Sequence, residues 1–192
     1  MRKDFKVIFS LVNENSKVLD LGCGNGALLE LLVKKKKISA KGIEIDSSKA
    51  SEAIAKGISV YEGDMFEILP NYKTKSYDYV ILSQTLQEVF DPHSILIEAL
   101  RVGRYVIVSF PNFGYLNNRL NILFKGNIKN KELFDYCWHE RKNFHPLTIF
   151  EFENYCFKNN IKLSKRIYLY NTFLFKSNPN IFAKYAVFVL EL

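Results

Sequence analysis

Cysteine is scarce: Cys23, Cys137 and Cys156 are the only three in 192 residues, and no two stand at CxxC spacing. An odd, scattered set excludes a disulfide framework and fits a reducing compartment. Long apolar runs are missing as well, and none approaches the roughly 20 residues that a membrane helix needs. The N-terminus, MRKDFKVIFSLVNENSKV, has a short apolar stretch, but Asn13 and Glu14 follow it with no small-residue cleavage site. The expectation is therefore a cytoplasmic protein with no signal peptide and no membrane partner. No repeat and no Pro/Gly/Ser-rich linker divides the chain. Residues 1–192 read as one domain, large enough to bury roughly 70% of its unfolded surface.

Hydrophobic residues at 48% and charged residues at 24% match an ordinary soluble globular protein. The net charge of +7 raises the question of a nucleic-acid partner. Much of the excess is lysine, and the run Lys34 to Lys37 falls where a helix should end. There it complements the negative end of the helix dipole and stays solvated, so no nucleic-acid partner is expected.

Strand and helix patterns alternate along the chain. Residues 2–12 form a helical pattern with Phe5, Ile8, Phe9 and Val12 on one face, and 17–21 is a short apolar strand running into Gly22-Cys-Gly-Asn-Gly26. The spacing predicts a helix over 27–35, a strand over 39–45, a helix over 47–56 capped by Asp46, and a strand over 58–61 ending at Gly63-Asp64. A strand over 77–82 is nearly continuous in apolar residues, as a buried parallel strand is. Asp91-Pro92 opens a helix to about 102, and a strand follows over 104–110. From 111 to 145 the pattern dissolves into aromatic and polar residues, a lid-like insertion. A helix over 146–159 and strands over 161–169 and 185–190 close the chain. Alternation implies a mostly parallel sheet with helices on both faces, and the last two strands imply a C-terminal antiparallel hairpin. The expected class is α/β with a seven-stranded sheet, and a parallel sheet finished by such a hairpin resembles the Rossmann-like class I methyltransferase fold.

Asp20-Leu-Gly-Cys-Gly-Asn-Gly26 joins the first strand to a helix. Its glycines let the backbone turn sharply and approach a ligand, and the helix N-terminus favours a negative group such as a carboxylate. Dinucleotide sites use GxGxxG, whereas GxGxG behind an acid suits a small amino-acid moiety. Glu44 ends the second strand, where an acid accepts hydrogen bonds from both ribose hydroxyls and repels a 2′-phosphate. Asp64 ends the third strand and can accept from an adenine amino group.

These residues resemble the class I methyltransferases that use S-adenosyl-L-methionine (SAM) and release S-adenosyl-L-homocysteine. The resemblance implies that Asp20 and the backbone of Gly22, Cys23, Gly24 and Gly26 hold the methionine part. It further implies Glu44 with its neighbour Ile45 at the ribose, Asp64 and Met65 beside adenine, and Ser83 or Gln84 lining the pocket after strand four. Tyr79-Val-Ile-Leu-Ser-Gln-Thr-Leu-Gln87, Leu100-Arg-Val-Gly-Arg104 and Val108-Ser-Phe-Pro-Asn-Phe-Gly114 are similar to the MetW family of methionine biosynthesis proteins, and Trp138, Asn143, His145, Thr148 and Pro179-Asn180 recur at its spacing. Membership implies a role in methionine supply beside a homoserine O-acyltransferase. Phe134–Arg141 and residues 170–178 depart from the pattern.

Methyl transfer from a sulfonium is an in-line displacement, served by positioning and exclusion of water. A base is needed only where the acceptor must lose a proton. His145 is the candidate, since imidazole titrates near neutrality and this one follows the aromatic insertion; the alternative is a backbone-bonding or helix-capping role. His93 and His139 are weaker candidates. Cys137, His139, His145 and Cys156 fit no zinc spacing, so no metal is expected. Phe110, Phe113, Tyr115, Phe124, Tyr136, Trp138 and Phe144 can form a substrate pocket, a second small core or a partner surface. Two functions remain open: methyl transfer to a small-molecule acceptor, or a non-catalytic SAM-binding partner or sensor subunit of a homoserine O-acyltransferase. A DNA methyltransferase is disfavoured because Ser83-Gln-Thr-Leu86 lacks the Asn/Asp-Pro-Pro-aromatic run that grips a flipped base. An NAD oxidoreductase is disfavoured by the glycine spacing.

Overall fold

The computed structural model describes residues 2–128, 143–170 and 177–192. Helix α1 (Lys3–Leu11) is followed by β1 (Lys17–Leu21), α2 (Ala27–Lys36), β2 (Ser39–Glu44), α3 (Ser47–Ala55) and β3 (Ser59–Glu62). A single turn α4 (Met65–Ile68) leads through a 3-10 turn (Leu69–Asn71) to β4 (Tyr77–Ser83), α5 (Pro92–Val102) and β5 (Gly103–Pro111). The rest is α6 (Leu116–Lys125), α7 (Ile149–Lys158), β6 (Lys162–Tyr170), the short α8 (Pro179–Phe182) and β7 (Ala183–Glu191). No helix among the described residues is long and apolar enough to cross a membrane.

The strands make one seven-stranded sheet in the order β3-β2-β1-β4-β5-β7-β6. The first five are parallel, and β7 runs antiparallel to both β5 and β6. The chain leaves β1 toward β2 on one side and returns to β4 on the other, so a crevice opens at the carboxyl ends of β1 and β4. Each central strand is buried on both faces, which is why Val18 to Leu21 and Tyr79 to Ser83 are apolar almost throughout.

Capping fixes where the helices begin. Asp46 accepts from the N–H groups of Ser48 (3.0 Å) and Lys49 (3.1 Å) before α3, and Asp91 accepts from that of Ser94 (3.1 Å) before α5, with Pro92 at the first helical position. Helix α7 starts three residues later than the sequence pattern predicts, because Thr148 is its N-cap: its hydroxyl oxygen accepts from the Glu151 N–H at 3.1 Å and its hydroxyl donates to the Glu151 carboxylate at 2.8 Å. Two elements depart from the sequence expectation. Helix α4 is one turn capped by Asp64, and α6 occupies the stretch expected to be irregular. The remainder of that stretch, 129–142, with Tyr136, Cys137, Trp138 and His139, lies outside the described residues.

The aromatics after β5 divide. Phe110 is core: with Phe152 of α7 and Phe188 of β7 it forms a ring cluster at centroid separations of 4.9 to 5.8 Å. Phe113 packs on Phe144 at 6.3 Å, while Phe124 of α6 is exposed.

Candidate functional site

The glycine loop closes the carboxyl end of β1. Gly22 and Gly24 have φ of +71° and +56°, a region that costs any residue with a Cβ. At Gly22 a Cβ would also stand 2.7 Å from Thr85 Cγ2, so the β4 loop forbids it twice over. At Gly24 nothing lies within 4 Å of that position, and the backbone there faces open space. The N–H groups of Gly22 and Cys23 both donate to the Ile43 carbonyl (2.8 and 3.1 Å), which ties the loop to β2. The Cys23 thiol is buried and pushed up to about 12, by burial first and then by Asp20 and Glu44. It is neither a nucleophile nor an accessible ligand.

Glu44 is the fastener of the site. Its Oε2 accepts from the Gly24 N–H at 2.7 Å and its Oε1 from the Asp46 N–H at 3.0 Å, while its carbonyl accepts from the Gly63 N–H at 2.9 Å. One residue thus holds the glycine loop and the start of α3 through its side chain and the end of β3 through its backbone. Each carboxylate oxygen keeps a second lone pair, so acceptance from a hydroxyl remains open. Ile45 beside it is an exposed apolar side chain.

Asp20 lies deeper, 2% exposed, and its Oδ1 has no hydrogen-bond partner. Burial pushes its pKa to about 8; Arg2 pulls it down, and Glu44 and Asp4 push it further up. Asp64 spends Oδ1 on the Phe66 N–H (2.9 Å) as the cap of α4, whose first residue is Met65. A cleft of about 510 Å³ touches Asp64, Glu62, Ile68 and Tyr72 on that side.

Ser83 and Gln84 end β4, Gln84 in a left-handed conformation (φ +58°) with its N–H on the Ser109 carbonyl at 2.8 Å. Both side chains donate to Asp4 Oδ2 of α1, Ser83 at 3.3 Å and Gln84 at 3.4 Å, and Ser109 joins them at 3.0 Å. Arg2 and Asp4 were not among the residues the sequence motifs marked, and Ser109 appeared only inside the 108–114 motif with no site role. A signal existed: Asp4 stands four residues before Ile8 and eight before Val12, on the buried stripe of α1, where a carboxylate is out of place unless paired.

His145 is bonded to the loop after β4. Its N–H donates to the Gln87 carbonyl at 2.9 Å and its Nε2 contacts the Val89 carbonyl at 3.1 Å. A carbonyl only accepts, so Nε2 carries a proton and Nδ1 is the nitrogen left to accept one. The ring lines a separate cavity of about 420 Å³ between α5 and α7, with Leu86, Leu96, Phe152 and Tyr155. His93 lines the same cavity and pairs with the Tyr155 hydroxyl at 2.7 Å. Among the described residues no group of three His, Cys, Asp or Glu side chains could hold a metal ion.

The family model for "Methionine biosynthesis protein MetW" matches residues 2–190, nearly the whole chain and every element of this site. The chain belongs to the MetW family. A relative of this MetW chain in Rhodopirellula baltica, a bifunctional methionine biosynthesis protein MetXA/MetW, is 32% identical over 174 residues. The match covers 86% of the MetW chain but 28% of that relative, so the chain spans less than a third of its length. Among solved structures the MetW chain is similar to a SAM-dependent methyltransferase of Archaeoglobus fulgidus, at 17% identity and a TM-score of 0.67, covering 98% of this chain and 94% of that one. It is equally similar to the [4+2]-cyclase SpnF, at 11% identity and a TM-score of 0.69, covering 98% and 80%. The fold is the class I methyltransferase fold, and a cyclase that shares it shows that the fold alone does not select the chemistry.

Proposed function

We propose that this MetW-family chain binds SAM in the crevice between β1 and β4 and transfers its methyl group to a small molecule in the cytoplasm. The observation that carries the cofactor reading is the unpartnered Oδ1 of buried Asp20, beside a glycine loop whose Gly24 backbone faces open space. A buried acceptor without a donor calls for a cation, and the ammonium of an amino-acid moiety meets that need. Glu44 would take the ribose hydroxyls with its remaining lone pairs. Asp64 and Met65 would flank adenine, and Ser83, Gln84 and the backbone of Gly22, Cys23 and Gly26 would line the methionine part. When bound, SAM supplies an activated methyl; the protein positions it and excludes water.

A second reading, a non-catalytic SAM-binding partner of a homoserine O-acyltransferase, is favoured by His145. Both its backbone N–H and its Nε2 are engaged with the loop after β4, as a structural histidine's would be. The relative that joins MetXA and MetW in one chain supports a protein partner under either reading.

Calorimetric titration with SAM, S-adenosylhomocysteine and NAD, with and without the acyltransferase, tests the cofactor site. Binding of the two adenosyl ligands and not NAD is expected, and no adenosyl binding under any condition would overturn it. Methyl transfer by the wild type separates the two readings, and His145→Ala tests the base. If Nδ1 takes the acceptor's proton, transfer falls about 100-fold or more while SAM affinity holds. An unchanged rate would remove His145 from catalysis.

A further inference from the structure

Helix α1 reaches the crevice with two charged side chains. Asp4 is 2% exposed at the carboxyl ends of β4 and β5, where its Oδ2 gathers the hydroxyls of Ser83 and Ser109. A carboxylate this deep is stable only if paired. Arg2 pairs with it through Nη2 (2.6 Å to Oδ2) and Nε (3.2 Å to Oδ1). Nη2 also donates to the Ser83 hydroxyl oxygen at 2.9 Å, and the guanidinium carbon lies 4.4 Å from the centre of the Phe5 ring.

These contacts use Nε and Nη2 and fix the plane of the guanidinium. Nη1 has no protein hydrogen-bond partner among the described residues, and the side chain stays 42% exposed. A positioned cation with a free donor therefore stands at the end of β4, the strand beside β1 and its glycine loop. Ser83, which Arg2 holds, stands two residues beyond Ile81, the register partner of Asp20 on the neighbouring strand, and the Arg2 charge accordingly favours the ionised Asp20 carboxyl. A zwitterionic ligand end needs one anion and one cation side by side, and Asp20, ionised by the arriving ammonium, would offer that pair with Arg2.

We infer that Arg2, oriented by Asp4 and the Phe5 ring, binds the α-carboxylate of the amino-acid end of the ligand. This rests on the SAM reading above. Arg2 is then a specificity residue: it distinguishes ligands that carry the carboxylate from adenosyl sulfonium compounds that lack it. Asp4 is its positioning residue, and α1 is part of the binding site as well as of the core.

SAM and decarboxylated SAM differ only in the carboxylate, so titrating both into the full chain isolates this contact. The wild type should bind SAM more tightly than the decarboxylated form. Arg2→Ala should weaken SAM binding about tenfold or more and leave the decarboxylated ligand within about twofold, with Arg2→Lys intermediate because it keeps the charge and loses the fork. Unchanged affinity for the decarboxylated ligand also certifies that the variant is folded. Equal losses for both ligands, or no loss for SAM, would overturn the inference while the cofactor reading stands. Binding of neither ligand by the wild type would overturn both.

Discussion

Without ligand, burial pushes the Asp20 carboxyl up to a pKa of about 8 against an ordinary value of 3.8, and a bound ammonium would pull it back down. In an unfolded chain the same group ionises near the ordinary value, so between the two values the folded protein holds the extra proton. Unfolding then releases it, and stability falls as pH rises across that window, with the fall complete once pH passes the folded pKa. Asp20→Asn is neutral at every pH and should flatten this fall. Denaturation midpoints of both proteins from about pH 4 to about pH 8 measure it, and identical slopes would show that Asp20 ionises freely in the fold. Asp20 and Glu44 were legible because the glycine motif anchors their positions. Arg2 and Asp4 carry no motif; they matter because α1 folds back over β4 and β5, a contact between residues 79 and 105 positions apart in the chain.

Among elements, α7 matters most to the β5–β7 side of the sheet. Phe152 sits 4.9 Å from Phe188 and 5.1 Å from Phe110, fully enclosed, so truncation leaves a cavity that neighbouring rings cannot fill. Phe152→Ala should cost about 3–5 kcal/mol in urea denaturation, and a loss under about 1 kcal/mol would mean that the cluster repacks. Helices with an apolar inward stripe, such as α5, are visible in the sequence. Helix α6 is not, for a physical reason. Its buried residue is Asn118, held by the carbonyls of Asn112 (3.3 Å) and Phe113 (3.2 Å), while Leu123 and Phe124 are 73% and 76% exposed. Leu116, Leu120, Leu123 and Phe124 do stand at helical spacing, but that apolar face is left largely uncovered and the buried position is polar, so the pattern does not mark a core-facing stripe. Helix α4 is too short for periodicity and depends on its Asp64 cap.

At the scale of the molecule, the crevice joins β1, β2, β3 and β4 through loops that meet only when the sheet is assembled. A ligand bound there stabilises the whole fold by mass action. S-adenosylhomocysteine at a hundred times its dissociation constant should add about 2.7 kcal/mol and raise the melting temperature by roughly 5–10 °C. No shift at millimolar ligand would refute binding at this site. The sequence by itself determined the strand and helix alternation, the glycine loop and the acids at the ends of β1, β2 and β3, because short-range periodicity and backbone sterics write those features locally, while its motifs carried the family resemblance. Only the tertiary structure decided that Glu44 fastens three segments, that His145 lines a cavity between α5 and α7, and that Arg2 and Asp4 meet Ser83 and Ser109. Those are meetings of distant segments, and no local pattern records which side chains a folded sheet brings within 3 Å of one another.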